Sequence, residues 1–442
     1  MRGMVFLTAE NIANFGYSPI ALKSLLTLQQ EGYTGKTTEI RTFVESDEGM
    51  YVPRAFLDFQ FYEPSDGDDG NDLQWQGIEG MTLRDYQAEA VSIVKKCVER
   101  DGGALLVGGC GTGKTVMGCF LIKQLGRRAL VLVHKEFLME QFKNTLELAF
   151  PGIKVGIWQK DDMPTGEEDV VISMVQSLGA RDYPQELYDG FGLILTDEVH
   201  RFSAPQWSEA IGRFGAKYRI GLTATPDRVD GLQTIFMNSI GPIVHKVEGN
   251  LLSPHIFPLQ TGRSYNRKSY CTWDGQISTA KLINELAKDD DRSDIIVSYA
   301  LRAIRKNRKV IILTDRRNHV DYMARKCEQE LEGTDYKVFT YLGGMKKKDR
   351  KEAEDNSDIL IGTYSMAQEG LDIPRLDTLI FATPKTNVVQ AVGRILRPSE
   401  GKQQPVVLDF IDNIGILEGY WKKRRNQYTQ EQYVIKRSQT LG

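Results

Sequence analysis

Eight consecutive residues, Gly108-Gly109-Cys110-Gly111-Thr112-Gly113-Lys114-Thr115, constrain the fold of this chain more than any other stretch. They spell GxxxxGKT and follow directly on the apolar run at residues 104–107. Glycines at these spacings let successive backbone N–H groups turn inward around phosphate oxygens. The positive end of a following helix strengthens the attraction. Such a loop requires a buried strand before it and a helix after it, which commits the surrounding chain to parallel strand–helix–strand units. In that setting Lys114 can reach the β- and γ-phosphates of ATP, and the Thr115 hydroxyl can ligate Mg²⁺.

The hydrophobic pattern agrees with this frame. Apolar runs at 104–107, 129–133, 170–173, 193–195 and 220–222 alternate with amphipathic helical stretches. The alternation resumes at 310–313, 337–340, 359–361, 378–381 and 406–408. Short, doubly buried runs of this kind mark a parallel sheet. Two consecutive sheets, with a break near residues 241–258, suit a chain of 442 residues, because a single domain holds about 100–200. Ahead of them, helix-like stretches in 8–30 and strand-like alternation at 39–44 and 55–62 predict a small α+β domain. Residues 63–80 are rich in Gly and Asp, lack Lys and Arg, and read as an acidic linker. The expected organisation is an accessory domain at 1–62, a linker at 63–80, and α/β domains at 81–248 and 249–442.

Net charge is −3, which by itself does not point to nucleic acid. Its distribution is more informative. Residues 1–80 carry 5 basic and 13 acidic side chains, a net of −8, so residues 81–442 carry a net +5. No apolar stretch reaches the roughly 18 residues of a membrane span, and the first residues do not form a signal peptide. The five cysteines, at 97, 110, 119, 271 and 327, form no CxxC. They read as reduced thiols of a cytoplasmic protein.

Two further segments complete the chemistry. Leu193-Ile194-Leu195-Thr196-Asp197-Glu198-Val199-His200 delivers an acidic pair at the end of a buried strand. Asp197 is placed to hold Mg²⁺ and Glu198 to orient or deprotonate the attacking water. Far downstream, Gln390-Ala391-Val392-Gly393-Arg394-Ile395-Leu396-Arg397 carries two arginines and a glutamine that could reach a γ-phosphate. A guanidinium stays charged and bridges phosphate oxygens bidentately. Alone, GRxxR is a weak signal. Combined with the glycine loop of a preceding domain, it predicts an ATP site that two domains share and that closes on the nucleotide.

In this order the segments resemble the superfamily 2 helicases across residues 81–442. Leu83-Arg84-Asp85-Tyr86-Gln87 resembles the family's adenine-recognition element, which implies Arg84 and Gln87 at the base. The glycine loop is motif I, Val133-His134-Lys135-Glu136 is similar to motif Ia, and Asp197–His200 is a DEVH version of motif II. Thr223-Ala224-Thr225 resembles motif III, so Thr223 and Thr225 are implied to couple hydrolysis to the nucleic-acid track. Leu313-Thr314-Asp315-Arg316-Arg317 resembles motif IV. Gly362-Thr363 with Glu369-Gly370-Leu371-Asp372 resembles motif V, placing Gly370 and Asp372 near ATP, and residues 390–397 resemble motif VI. The implied fold is two tandem RecA-like parallel-sheet domains behind the small α+β domain.

Within the superfamily, Leu222–Pro226 with the following Asp-Arg-Val-Asp-Gly, and the string GRILRP, are most similar to the UvsW, RecG and XPB group. Arg228 and Asp230 match that group's R-E-D element, whereas Val229 replaces its acid. The short spacing between motifs IV and V leaves no room for a large thumb insertion, so compact phage branch-migration helicases are the nearest resemblance. DEAD-box RNA helicases fit less well. Their motif VI reads HRxGRxGR, and Ala391 stands at its leading Arg.

The resemblance implies ATP and Mg²⁺ as cofactors and forked or branched DNA as the partner. It implies no membrane, and a monomer in the cytoplasm, that of the host if the chain is phage-encoded. His134, Lys135, Thr340 and Thr363 are then the candidates to contact phosphates of one strand, contacts that are blind to sequence. Basic clusters at 346–351 and 422–425 read equally as DNA contacts or as solvated helix faces. The stretch 263–273 (RSYNRKSYCTW) interleaves basic residues with Tyr265, Tyr270 and Trp273. It reads either as a stacking element at a fork or as a polar hairpin with its aromatics turned inward.

Overall fold

Every apolar run marked after residue 81 forms a strand in the computed structural model. The structure describes residues 3–31, 37–56, 69–109, 111–159, 162–179, 183–201, 210–224, 226, 232–247, 252–368, 373–397 and 399–441. Two units result, Met1–Gly249 and Asn250–Gly442.

The first unit contains strands β1 (Met4–Thr8), β2 (Thr27–Glu31), β3 (Thr37–Arg41), β4 (Val44–Ser46), β5 (Gly49–Pro53), β6 (Gly103–Gly108), β7 (Ala129–Val133), β8 (Val155–Trp158), β9 (Val170–Met174), β10 (Leu193–Thr196), β11 (Tyr218–Thr223) and β12 (Ile243–Val247). The last seven make one parallel sheet in the order β12-β6-β11-β10-β7-β9-β8. Both faces are buried, as the strand composition requires. Ala104 and Leu106 of β6, with Ala129, Val131 and Val133 of β7, face a core shared with helices Asp85–Asp101, Lys114–Leu125 and Glu136–Ala149. Leu105, Leu130 and Leu132 point the opposite way, against Phe191, Phe214, Phe236 and Ile240. This alternation is the two-residue period of a strand filled with apolar residues on both sides.

The N-terminal segment departs from expectation. Residues 27–30, read as part of a helical stretch, lie in β2, and β1 and β5 form a sheet with β4 in the order β1-β5-β4. Cross-strand pairing overrides local preference here, because β1 and β5 bury Leu7, Met50 and Val52 against Ile12 and Leu22. Two short helices, Ala9–Asn14 and Pro19–Leu25, are capped by the Thr8 and Ser18 hydroxyls. Of the strand expected at 55–62, residues 55–56 belong to a turn and the rest lies outside the described residues.

This small layer is bonded to the underside of the large sheet. Arg54, 1% exposed, donates to the carbonyls of Ala216 (2.7 Å), Lys217 (2.8 Å) and Gly102 (3.1 Å), just before β11 and β6 begin. From the sheet side, buried Arg219 donates to Gly3 O at 2.9 Å, Phe214 O at 3.0 Å and Ser239 O at 2.9 Å. Residues 69–80, expected within an exposed linker, instead form a strap on the first unit. Asp69 pairs with Lys217 at 2.8 Å, Asp72 with Arg127 at 2.5 Å, and Leu73 is buried. The backbone N–H groups of Gln74 and Trp75 both donate to Asp169 Oδ1, at 2.7 and 3.1 Å. Where the strap crosses Gly192, a Cβ on Gly70 would fall 2.1 Å from the Gly192 nitrogen, so the crossing demands glycine.

The second unit holds β13 (His255–Gln260), β14 (Val310–Thr314), β15 (Val338–Tyr341), β16 (Ile359–Thr363), β17 (Thr378–Phe381), β18 (Val406–Ile411), β19 (Val434–Ile435) and β20 (Gln439–Thr440). Their order is β15-β16-β14-β17-β18-β13-β19, with β20 also beside β13, and all pairs are parallel. Helices cover both faces. The long helix Gly415–Gln430 is held by a buried ion pair in which Arg424 donates twice to Asp409, at 2.8 Å each. Tyr428 also donates to Asp409, at 2.9 Å. Arg424 is one of the four basic residues at 422–425, so that cluster splits: Lys422, Lys423 and Arg425 are exposed, and Arg424 belongs to the core. Cys97, Cys119, Cys271 and Cys327 are unpaired thiols, and Cys110 lies outside the described residues. Among the described residues, no helix is long and apolar enough to cross a membrane.

Candidate functional site

Strands β6, β11 and β10 are neighbours in the first sheet, in register through Val107↔Thr223 and Thr196↔Gly221. Their C-terminal ends therefore deliver the glycine loop, Thr223 and Asp197-Glu198 side by side. The carboxyl edge of a parallel sheet is where such folds bind ligands.

The loop fits a phosphate cradle. Gly113 has φ +81°, and a Cβ there would lie 2.3 Å from Gln87 Nε2. A Cβ on Gly108 would lie 2.8 Å from Thr112 Oγ1. Both glycines are thus required by the packing of the loop against Gln87 and Thr112. Lys114, 8% exposed, turns its ammonium back into the loop, donating to Gly108 O at 2.9 Å and Gly109 O at 3.4 Å. Gly111 and Thr112 complete the curve, with the Thr112 hydroxyl donating to Gly109 O at 2.9 Å. Thr115 is half-buried in the first turn of the helix that follows.

Opposite the loop, Asp197 continues the β7 pairing through its N–H to Leu132 O, at 2.9 Å. The chain then turns sharply. Glu198 adopts φ +49°, a left-handed conformation that a non-glycine residue holds at a cost of about 1–3 kcal/mol. The turn carries the Glu198 carboxylate to 3.6 Å from Lys114 Nζ and 3.3 Å from His200 Nδ1. Burial, followed by the Glu198 charge, pushes Asp197 up to about 7, against the pull of Lys114. Burial also works against ionisation of Glu198, yet nearby positive charge, Lys114 first, holds it below the usual carboxylate range. Glu198 Oε2 is buried without a hydrogen-bond partner. A buried acid pair with one member reluctant to ionise and one oxygen unsatisfied fits a divalent cation, which would reverse the local charge balance. Thr115 and Asp197 are the residues that would hold Mg²⁺ here.

Burial lowers His200 to about 4, so at neutral pH it is uncharged and its approach to Glu198 is not an ion pair. Its Nδ1 instead shares a hydrogen bond of 2.8 Å with the hydroxyl of fully buried Thr223. Lys114, Glu198, His200 and Thr223 thus lie in a row of close approaches of 3.6, 3.3 and 2.8 Å, of which the last is a hydrogen bond. The motif resemblance implies a task for Thr223 and none for His200; only the adjacency of β11 and β10 brings the two together.

Gln87 also does more than the sequence suggested. Expected at the adenine base, it is buried. Its Oε1 accepts from the Arg84 N–H at 3.0 Å, and its Nε2 donates to Thr112 O at 2.9 Å. Tyr86 donates to the same carbonyl at 3.1 Å, while the Arg84 side chain is exposed. Gln87 is a strut beneath the loop. His134 and Lys135 follow β7 on the same edge, both half-buried.

In the second unit, Thr340 and Thr363 lie near the C-terminal ends of the paired strands β15 and β16. The Thr363 hydroxyl shares a hydrogen bond of 3.0 Å with Ser365. Gln390 and Arg394 belong to helix Val389–Arg394, anchored by buried Ala391 and Val392, and Arg397 follows it. Lys402 donates to Arg397 O at 2.7 Å and Pro374 O at 2.6 Å. Cys110, Thr225, Gly370, Asp372 and the Gln390 side chain lie outside the described residues. The aromatic stretch 263–273 divides: Tyr265 donates to Asp289 at 2.7 Å and Tyr270 is 6% exposed, so both pack inward. Trp273 does not.

The family described as "Type III restriction enzyme, res subunit" matches residues 80–228, and "Helicase conserved C-terminal domain" matches 291–399. An Acanthamoeba polyphaga mimivirus protein named as an ATP-dependent RNA helicase is 32% identical over 356 residues, covering 79% of this chain and 68% of its own. An African swine fever virus (strain Badajoz 1971 Vero-adapted) protein of the same designation is 25% identical over 378 residues, covering 80% and 74%. Among solved structures, the DNA-bound Type ISP restriction-modification enzyme LlaBIII superposes with a TM-score of 0.58 at 17% identity. That match covers 82% of this chain and 31% of the enzyme, so this chain spans about a third of it and the likeness is one of fold.

Proposed function

This chain belongs to the superfamily 2 helicases, ATP-dependent by family, and on that premise we propose that it is a DNA helicase that unwinds or branch-migrates forked and junction DNA during replication, recombination or repair. The observation that carries the motor reading is the row of close approaches Lys114–Glu198–His200–Thr223, which sets the phosphate loop beside the end of β11. Lys114 and the loop bind the phosphates of ATP, Thr115 and Asp197 hold Mg²⁺, and Glu198 orients the attacking water. Gln390, Arg394 and Arg397 supply positive charge and hydrogen bonds to the γ-phosphate. His134, Lys135, Thr340 and Thr363 contact strand phosphates.

The preference for DNA is supported by motif VI, where Ala391 replaces the leading Arg of the RNA-directed pattern. The names of the viral relatives favour a second reading, an RNA helicase. Strand displacement with ATP and Mg²⁺ on forked DNA, a four-way DNA junction, linear DNA duplex and RNA duplex separates the two. Forks and junctions are expected to be processed at least several-fold faster than RNA duplex. The reverse order would transfer the assignment to RNA. ATP turnover stimulated by linear duplex, with no displacement on any substrate, would make the chain a translocase.

Thr223→Val tests the coupling path. It removes the hydroxyl bonded to His200 and keeps the side-chain shape. A hydrogen bond contributes about 1 kcal/mol, so the ratio of DNA-stimulated to basal ATP turnover is expected to fall about fivefold. An unchanged ratio would place coupling elsewhere.

A further inference from the structure

Trp273 is 99% exposed, whereas Trp158 is fully buried and Trp75 and Trp421 pack against the cores. Single apolar side chains on a surface are ordinary. What distinguishes this indole is the rigidity of its mount. Cys271 and Ile277 form an antiparallel bridge, and inside it Thr272 N–H donates to Gln276 O at 2.8 Å and Gly275 N–H to Thr272 O at 3.0 Å. Gly275, at φ +81°, supplies the left-handed residue that so tight a turn requires. Trp273 stands at the tip.

The turn is tied to the segment after β14. Tyr270, at its base, is buried among Leu282, Leu286, Ile414 and Leu417. Lys281 donates to Cys271 O at 2.9 Å, joining the turn to helix Thr279–Lys288. Arg316 grips that helix from the other side, donating to Asn284 Oδ1 at 2.6 Å and Ala280 O at 3.1 Å. Turn, helix and Arg316 form one piece at the carboxyl edge of the second sheet, the edge that also presents Thr363. Arg267 and Lys268 are exposed on the short helix preceding the turn. The carboxylate next in the chain, Asp274, accepts a hydrogen bond from Thr272.

We propose that Trp273 is a base-stacking site: an indole held on a rigid turn that stacks on an unpaired nucleobase of the single strand carried along this edge. The proposal rests on the nucleic-acid reading above and adds a residue to it. An exposed indole contributes no burial to folding, whereas every base offers it a face, so the contact is independent of sequence. The basic residues beside it suit the phosphates that accompany such a base.

The full chain, without nucleotide, is titrated with oligothymidylate and with oligouridylate while tryptophan emission is followed. Wild type is expected to lose emission on binding, and Trp273→Phe to lose at most a third as much. Trp273→Ala should bind about tenfold more weakly, and Trp273→Phe within threefold of wild type. Both variants should unfold at the wild-type temperature, because the side chain packs against nothing. The two probes tell a DNA strand from an RNA strand as the source of the base. Equal quenching in wild type and Trp273→Phe, wild-type affinity in Trp273→Ala, or no binding of either probe would overturn the proposal. Stimulation of ATP turnover by the same probes is read separately. Its absence alongside a Trp273-dependent quench rejects the motor and keeps the stacking site; its presence with equal quenching rejects the stacking site alone.

Discussion

Glu198→Gln is expected to leave ATP binding nearly intact and to slow hydrolysis by about 10²–10⁴-fold, the usual contribution of a positioned general base. Gln preserves the size of the side chain and tolerates the φ of +49° as Glu does, so the loop from Asp197 to His200 should keep its shape. What disappears is the charge that Lys114 above all holds in the ionised form. Asp197, the proposed Mg²⁺ ligand, stays in place, which separates this variant from Lys114→Ala, where phosphate engagement itself should weaken. Nucleotide affinity measured beside phosphate release under single-turnover conditions distinguishes the two. Wild-type turnover in Glu198→Gln would move water activation to another residue.

The largest expected effect on stability comes from Asp409→Ala. Arg424 and Asp409 are 2% and 0% exposed at their side chains, and the carboxylate also accepts from Tyr428. Removing it leaves a guanidinium buried without its counter-charge, a change that costs about 3–5 kcal/mol. For a unit of this size the midpoint of its unfolding transition should fall by roughly 10 °C. The experiment needs both units followed, since a chain of two units need not unfold in one step. Asp409→Leu with Arg424→Met, which removes both charges, should recover much of the loss. A midpoint within 2 °C of wild type for Asp409→Ala, a limit set from about 2–4 °C per kcal/mol, would mean that the helix is held by its apolar contacts.

The sheets were legible because both are buried on two faces, which forces continuous apolar runs such as 129–133 and 310–313. Strands β8 and β12 escaped notice because edge strands need no such run: Val-Gly-Ile-Trp and Ile-Val-His-Lys-Val mix in glycine and charge. The N-terminal layer was read poorly for a different reason. Its strands of three to five residues are defined by their partners, and pairing such as Met4↔Pro53 spans too much sequence to leave a local trace. The chemistry of the first unit was legible to the extent that glycine spacing and an acidic pair imply it. The positive φ of Glu198, the His200–Thr223 hydrogen bond and the strut formed by Gln87 arise from strand adjacency, which one-dimensional spacing does not encode. The same limit explains the aromatic stretch and the basic cluster at 422–425. Tyr270 and Trp273 look alike in sequence, as do Arg424 and Arg425, and only the packing assigns one of each pair to the interior.

The two arginines that join the N-terminal layer to the large sheet make that layer part of the motor's chassis. Arg54 neutralises the carbonyl ends at the start of β6 and β11, and Arg219 reaches back to Gly3. Cutting the chain at residue 80 would therefore uncap several carbonyls in the sheet and deprive a buried guanidinium of one of its acceptors. Through these two guanidinium groups the small layer is seated on the first sheet, so loosening either arginine is expected to destabilise layer and sheet together.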